Sequence, residues 1–235
     1  MSFLMDTYKR LPVSFVRGEG VYLYDEKGKR YLDLVGGVAV NVLGHSDPDL
    51  VRALCEQAHK LWHVSNLYQN PWQEETAKLL VEQFGEPAKV FFCNSGAEAN
   101  EGAIKLARRY FWEKGEKRYR IITFKNSFHG RTFGAMSATA QEKIQKGFEP
   151  LLDGFDYAEL NDIKSVERLL RKETAGIMLE VIQGEGGINE AEGEFLAKVE
   201  ELCRREGLLF IVDEVQTGLG RTGKFYGYQH FGIKP

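Results

Sequence analysis

One loop of the sequence has the composition of an anion-binding site. Ser95 is followed by Gly96 and Ala97, and an apolar periodic segment begins directly after them. Serine caps a helix by accepting a bond from a backbone N–H, and small residues leave neighbouring N–H groups open to a phosphate, which the helix dipole attracts. The loop therefore predicts a phosphate cradle, and an ordinary capped helix start is the alternative.

Two further loops contain an aromatic ring, a guanidinium and a carboxylate. Segment 126–132 includes Phe128 and Arg131, which could supply an aromatic face and a group that binds a carboxylate. His129 lies between them, and we interpret it as structural. The tight turn at 183–187 presents Glu185. In open parallel sheets ligands bind beyond the carboxyl ends of the strands, so we expect these loops to meet at one edge.

A fourth loop begins with an aspartate at the end of an apolar run. Residues 208–213 are Leu-Leu-Phe-Ile-Val-Asp, and an ionised carboxylate beside such neighbours is costly unless it meets a positive partner or several donors. A cofactor with a protonated ring nitrogen is such a partner. Asp213 is therefore a candidate cofactor ligand, and a simple loop cap is the alternative.

The glycines at 218–223 match the dinucleotide-binding pattern GxGxxG. That fingerprint requires the glycines to open a helix and an acidic residue to follow about 20 residues later. The residues after Gly223 are rich in aromatic side chains and glycine, which does not favour a helix, so we reject a nicotinamide site. The sequence contains no metal-ligand spacing, nucleophile elbow or P-loop motif, and we expect no metal.

The elements that carry these loops alternate between strand and helix. Apolar runs and helical periodicity predict strands at 89–94, 120–124, 176–182 and 208–213, and helices at 95–112, 163–171 and 195–206. Strands that are apolar throughout are buried on both faces, so the pattern predicts an α/β fold with a parallel sheet. The helix at 95–112 is expected to bury one stripe, namely Ala99, Ala103, Leu106, Ala107 and Tyr110.

Ahead of this region we expect a hairpin and two helices. Alternating runs around a charged turn predict the hairpin within 21–34. The helices are expected at 47–63 and 71–84. The first of them should carry an apolar face formed by Leu50, Val51, Leu54, Ala58 and Leu61.

Composition and charge narrow the class of protein. The 235 residues are 43% hydrophobic and 28% charged, with a formal net charge of −3. A nucleic-acid or membrane-surface binder would need a clustered basic excess, so we expect neither partner. The three cysteines have no paired spacing, which predicts buried, reduced thiols. With no signal peptide or membrane span evident, we expect a cytoplasmic protein.

Taken together, the four loops resemble those of the class-III pyridoxal-phosphate aminotransferases in order and spacing. The motifs are residues 94–101, 128–132, 180–187 and 213–223. The resemblance implies a fold-type-I transferase with a mostly parallel sheet flanked by helices. It also implies an amino-terminal segment at 1–48, containing the hairpin and a glycine-rich active-site loop, and a cofactor-binding large domain at 49–235 that is incomplete at its carboxyl-terminal end.

The resemblance assigns roles toward pyridoxal 5'-phosphate. Gly96 and Ala97 would bind its phosphate, and its ring would lie between Phe128 and Val215. Asp213 would be the catalytic partner of the ring nitrogen, keeping that nitrogen protonated. The full set of implied cofactor ligands is Ser95, Gly96, Ala97, Phe128, Asp213, Glu214, Val215 and Gln216.

The implied substrates are N-acetylornithine and 2-oxoglutarate, in arginine biosynthesis. Segments 34–45 and 65–68 resemble the members of the class that use them, whereas members acting on free ornithine carry a tyrosine near Gly37. Arg131 would bind the α-carboxylate as a bidentate fork, and Glu185 would act as a gate for specificity. Succinylornithine, ornithine and 4-aminobutyrate remain alternative substrates.

The resemblance also implies that residues 1–235 do not include the lysine that binds the cofactor as a Schiff base. Neither Lys224 nor Lys234 stands where the family has its Schiff-base lysine, which we expect beyond Pro235. We therefore expect residues 1–235 alone to be inactive, and the full-length form to be a homodimer. The alternative from a different class is an inactive module that binds phosphate or a cofactor.

Overall fold

The chain divides between Asn70 and Pro71 into two units, each with its own internal contacts. The computed structural model describes residues 3–235. The functional boundary expected between residues 48 and 49 is a different kind of division and stays a prediction.

A small antiparallel sheet begins the first unit. Its strands are β1 (Phe15–Glu19), β2 (Tyr22–Asp25) and β3 (Arg30–Leu32), paired in the order β1–β2–β3. β2 and β3 form the hairpin predicted within 21–34, and the Asp25 carboxylate accepts bonds from two N–H groups of the turn between them. β1 is an additional strand that the sequence pattern did not indicate.

Two helical segments, α1 (Gly36–Ala39) and α2 (Pro48–Ala58), complete the first unit. α2 begins where predicted, because the Asp47 side chain accepts bonds from two N–H groups of its first turn. It ends at Ala58 rather than near residue 63, because the Trp62 indole donates to the Ala58 carbonyl and closes the helix end. The apolar side chains of Leu50, Val51 and Leu54 in α2, and of Leu61 after it, are exposed.

The second unit contains a four-stranded parallel sheet in the order β5–β4–β6–β9. Its strands are β4 (Arg120–Phe124), β5 (Phe155–Ala158), β6 (Thr174–Leu179) and β9 (Leu209–Val212), and β7 (Ile182–Gln183) pairs separately with β8 (Asn189–Glu190). Its helices are α3 (Pro71–Phe84), α4 (Gly96–Glu113), α5 (Phe133–Ala138), α6 (Glu142–Gln145), α7 (Ile163–Leu169), α8 (Gly193–Glu206) and a 3-10 helix at Gly227–His230. The predicted parallel sheet is confirmed.

Helices cover both faces of this sheet. Alternate residues of each strand point to opposite sides, so neighbouring residues pack against different helices. On one face, Ile122 and Ile177 pack with the buried side of α8 around Leu196. On the other face, the neighbouring residues Ile121 and Met178 pack against α4. Burial on both faces explains why β4 and β6 are apolar at nearly every position.

The strand predicted at 89–94 is absent from the structure. These residues pair with no strand among the described residues, and the Phe91 side chain is 75% exposed. A strand is defined by a ladder of bonds to a neighbour, so an apolar run without a neighbour stays irregular. The prediction was therefore wrong for this chain.

The predicted inner stripe of α4 was also wrong, apart from Ala107. The buried residues of α4 are Asn100, Ile104, Ala107 and Phe111. Leu106, from the predicted stripe, is 70% exposed and lines an open apolar groove together with Phe91 and Trp112. α4 has apolar residues on two sides, and periodicity does not tell which of them faces the sheet.

Of the three cysteines only Cys203 is buried, and burial raises the pKa of its thiol to about 12. Cys55 and Cys93 are exposed, which corrects the prediction that all three are buried. All three are free thiols. Among residues 3–235, no helix is both long and apolar enough to cross a membrane.

Candidate active site

The loops that follow β4 and β9 lie against the first turns of α4. The loop that follows β6 contacts both of these loops. Asn100 in α4 donates from Nδ2 to the His129 carbonyl at 2.7 Å and to Oδ2 of Asp213 at 2.8 Å. A Cβ added to Gly130 would lie 2.8 Å from the Cβ of Ala97, and one added to Gly96 would lie 2.7 Å from Val215. Only glycine fits at these two approaches, so the loops are held tightly against the helix start.

The start of α4 forms the predicted cap. Ser95 Oγ accepts a bond from the Glu98 N–H at 3.2 Å, and Glu98 in turn accepts one from the Asn94 N–H. Within residues 3–235, no acceptor contacts the N–H groups of Gly96 and Ala97. Two free donors at the positive end of an 18-residue helix form an anion-binding cradle.

Asp213 lies at the carboxyl end of β9 and is only 6% exposed. Its carboxylate accepts bonds from Asn100, from His129 Nδ1 at 2.8 Å and from the Val215 N–H at 3.0 Å. Burial opposes its ionisation, but the bond and charge of His129, together with the Val215 N–H, outweigh burial and lower the pKa of Asp213. The site therefore contains a buried, anionic carboxylate beside the cradle.

The His129 ring contacts the Asp213 carboxylate from inside the fold. The ring is buried, and the backbone N–H of His129 donates to Thr139 Oγ1 at 2.7 Å. Nδ1 contacts Asp213, while Nε2 has no partner among the described residues. Sequence reasoning missed both His129 and Asn100 as partners of Asp213.

Phe128 is anchored through its backbone. Its N–H donates at 2.9 Å to Oε2 of Glu180, which follows directly on β6 and is 6% exposed. Burial raises the pKa of Glu180 to about 7. Glu180 was not among the predicted site residues, although an acidic residue in an apolar run is the same signal that identified Asp213.

Arg131 presents a free cation. Its side chain is exposed, its guanidinium carbon lies 5.6 Å from the centroid of the Phe128 ring, and it forms no ion pair in the part of the chain that the structure describes. The loop just after it is fixed by Glu101, whose Oε1 accepts bonds from Thr132 Oγ1 at 2.6 Å and from the Gly134 N–H at 2.8 Å. A held loop with an unpaired guanidinium is suited to binding a carboxylate.

Glu185 and Gln216, predicted from separate motifs, are in contact. Gln216 donates from Nε2 to Oε1 of Glu185 at 3.3 Å. Glu214, by contrast, is occupied by its own loop, since its carboxylate accepts bonds from Thr217 Oγ1 and from the Gly227 and Tyr228 N–H groups. Direct contact of Glu214 with a cofactor stays a prediction.

The glycine-rich segment 218–223 forms turns, and the residues after Gly223, for which no helix was expected, contain a short 3-10 helix at Gly227–His230 and no α-helix. The ammonium group of Lys224 donates to the Gln229 carbonyl, and that of Lys234 pairs with the Glu86 carboxylate. Among residues 3–235, the structure contains no cluster of His, Cys, Asp and Glu side chains that could hold a metal ion.

The residues present fit pyridoxal phosphate. The free N–H groups of Gly96 and Ala97 suit a phosphate. The buried anion of Asp213 suits a protonated ring nitrogen, and Phe128 and Val215 flank the same helix start through their loops. The placement of a cofactor ring between Phe128 and Val215 stays a prediction.

Comparison with known proteins agrees with this geometry. Residues 4–235 match the family model described as aminotransferase class-III. The acetylornithine aminotransferase of Aquifex aeolicus is 63% identical over 235 residues, which cover 100% of this chain and 62% of the relative. The chain thus spans about three fifths of the length of this curated relative.

Solved structures agree on the fold. The N-acetylornithine aminotransferase of Stenotrophomonas maltophilia matches with a TM-score of 0.83 at 40% identity, covering 97% of this chain and 57% of that one. The ornithine aminotransferase of Toxoplasma gondii, whose structure reports partial occupancy of PLP at the active site, matches with a TM-score of 0.93 at 33% identity, covering 99% and 56%. The predicted fold class is confirmed, and the chain belongs to the class-III aminotransferase family.

Proposed function

We propose that this chain is the cofactor-binding part of a longer protein, called the whole protein below, that transfers the amino group of N-acetylornithine to 2-oxoglutarate. The observation that carries the proposal is the buried Asp213 carboxylate, held by three donors beside an unoccupied pair of N–H donors at the start of α4. Pyridoxal phosphate is the cofactor of class-III aminotransferases, so the predicted cofactor is confirmed at the level of the family.

When bound, pyridoxal phosphate supplies a ring that withdraws electrons from a substrate carbon. The N–H groups of Gly96 and Ala97 bind the phosphate at the positive end of α4. Asp213 would keep a proton on the ring nitrogen, because an ionised carboxylate close to that nitrogen favours the protonated, positively charged form of the ring. Asn100 and His129 hold Oδ2 of this carboxylate and the Val215 N–H holds Oδ1, so the orientation of the carboxylate is fixed from both sides.

The substrate side of the proposal depends on Arg131 and Glu185. The exposed guanidinium of Arg131 binds the α-carboxylate that N-acetylornithine and 2-oxoglutarate share. The contact between Glu185 and Gln216 links the residue proposed as a gate to a residue proposed to touch the cofactor. The acetylornithine aminotransferase named above supports the choice of the acetylated substrate.

We further propose a cytoplasmic homodimer. Free thiols at Cys55, Cys93 and Cys203 suit a reducing compartment. The exposed apolar side chains along the outer side of α4, including Leu106 and Trp112, suit a surface that is covered in the assembled protein. Residues 1–235 alone are proposed to be inactive, since neither Lys224 nor Lys234 stands at the position of the family's Schiff-base lysine.

Steady-state kinetics of the whole protein test the function. We expect the highest kcat/KM with N-acetylornithine as amino donor, compared with succinylornithine, ornithine and 4-aminobutyrate, each with 2-oxoglutarate as acceptor. Protein stripped of pyridoxal phosphate and assayed without it is the control and should be inactive. A preference for ornithine or 4-aminobutyrate would refute the substrate, and no transfer from any of the four would refute the function itself.

A further inference from the structure

A second buried carboxyl group lies in the site and has no assigned role. Glu180 directly follows β6, its side chain is almost fully buried, and its Oε2 accepts the bond from the Phe128 N–H. Because the bond goes to a backbone atom, Glu180 fixes the position of the loop that carries Phe128, His129 and Arg131. No other described side chain bonds the Phe128 N–H.

Glu180 also belongs to a cluster of titratable groups. Its titratable neighbours are His129 and Asp213, which come from the loops after β4 and β9, so three loops each contribute one group. Burial raises the pKa of Glu180 to about 7, whereas the pKa of Asp213 is lowered. Near neutral pH the cluster therefore holds one firmly ionised carboxylate and one that gains and loses a proton.

We propose that Glu180 is a positioning residue of the ring-nitrogen site, which fixes the backbone of Phe128 and sets the charge that Asp213 and His129 present to a bound cation. The inference rests on the proposed function, because the cation is the protonated ring of pyridoxal phosphate. An ionised Glu180 adds negative charge beside Asp213 and so favours a positively charged ring.

The two parts of the proposal are separable by substitution. Glu180→Gln keeps an oxygen that accepts the Phe128 N–H and removes the charge, whereas Glu180→Ala removes both. Glu190→Gln, at an exposed carboxylate on β8, is the matched control. All three variants are made in the whole protein.

Amide hydrogen exchange of the cofactor-free whole protein tests the backbone anchor. We expect exchange at Phe128 to be about tenfold or more faster in Glu180→Ala, and unchanged in Glu180→Gln and in the control, because only Ala removes the acceptor. Exchange that is the same in Glu180→Ala and wild type would overturn the anchoring role, whether or not the cofactor binds.

The affinity for pyridoxal phosphate as a function of pH tests the charge. A cation bound at Asp213 favours the ionised form of Glu180, so the affinity of wild type relative to Glu180→Gln should rise about threefold or more between about pH 6 and about pH 8. The control should follow wild type. A constant ratio would overturn the inference about Glu180 alone, and wild-type protein that fails to bind pyridoxal phosphate would overturn the proposed function with it.

Discussion

Replacement of Asp213 in the whole protein separates a cofactor ligand from a loop cap. Two substitutions are informative. Asp213→Asn keeps the shape and one acceptor oxygen without the charge, and Asp213→Ala removes the group. If Asp213 only caps its loop, Asn should be nearly silent. If it holds a proton on a ring nitrogen, both should impair turnover.

The structure allows the cost in stability to be worked out. In Asp213→Ala the buried His129 Nδ1 loses its acceptor, whereas Asn100 keeps the His129 carbonyl and the half-buried Val215 N–H is accessible to water. One unsatisfied buried donor costs roughly 1–3 kcal/mol, out of about 5–15 kcal/mol for a typical protein. We therefore expect both variants to fold at room temperature.

Turnover should fall much further than stability. Loss of the charge that stabilises the protonated ring acts on the transition state, and we expect kcat to fall about a hundredfold or more in both variants, with each tenfold corresponding to about 1.4 kcal/mol. Urea unfolding measures the loss of stability, and kcat at saturating pyridoxal phosphate measures the loss of turnover. Asp213→Asn with most of the wild-type kcat would refute the role assigned to Asp213.

Three further predictions concern neighbouring groups. The pKa of Glu180 is raised from 4.5 to about 7, so its ionisation should reduce the unfolding free energy by about 3 kcal/mol as the pH rises across that window. Glu180→Gln should abolish this loss. Urea unfolding that gives wild type and Glu180→Gln the same dependence of unfolding free energy on pH would contradict the prediction. Arg131→Lys should raise KM for both substrates about tenfold to a hundredfold by removing one of two charge-assisted bonds, and an unchanged KM would exclude the fork. Glu101→Ala frees the loop after Arg131 and should raise KM with little change in kcat. A fall in stability and in kcat with an unchanged KM would instead indicate a purely structural role for Glu101.

Features that depend on local pattern could be predicted from the sequence. β4 and β6 are apolar at nearly every position because both faces are covered, and that property is enough to identify buried parallel strands. The cap at Ser95 follows from residue types alone. Convergence of the loops follows because parallel strands end at one edge of the sheet.

Features that depend on distant partners could not be predicted. Asp213 is held by Asn100 and His129, which are 113 and 84 residues away in sequence, and no local pattern links them. Whether an apolar residue is buried likewise depends on what covers it. Phe91 and Leu106 have the sequence pattern of core residues but lie exposed in this chain.

A crystal structure of the whole protein with pyridoxal phosphate tests the central claim most directly. We expect phosphate oxygens within about 3 Å of the backbone nitrogens of Gly96 and Ala97, and the ring nitrogen within about 3 Å of a carboxylate oxygen of Asp213. A phosphate bound elsewhere, or a ring nitrogen turned away from Asp213, would contradict it.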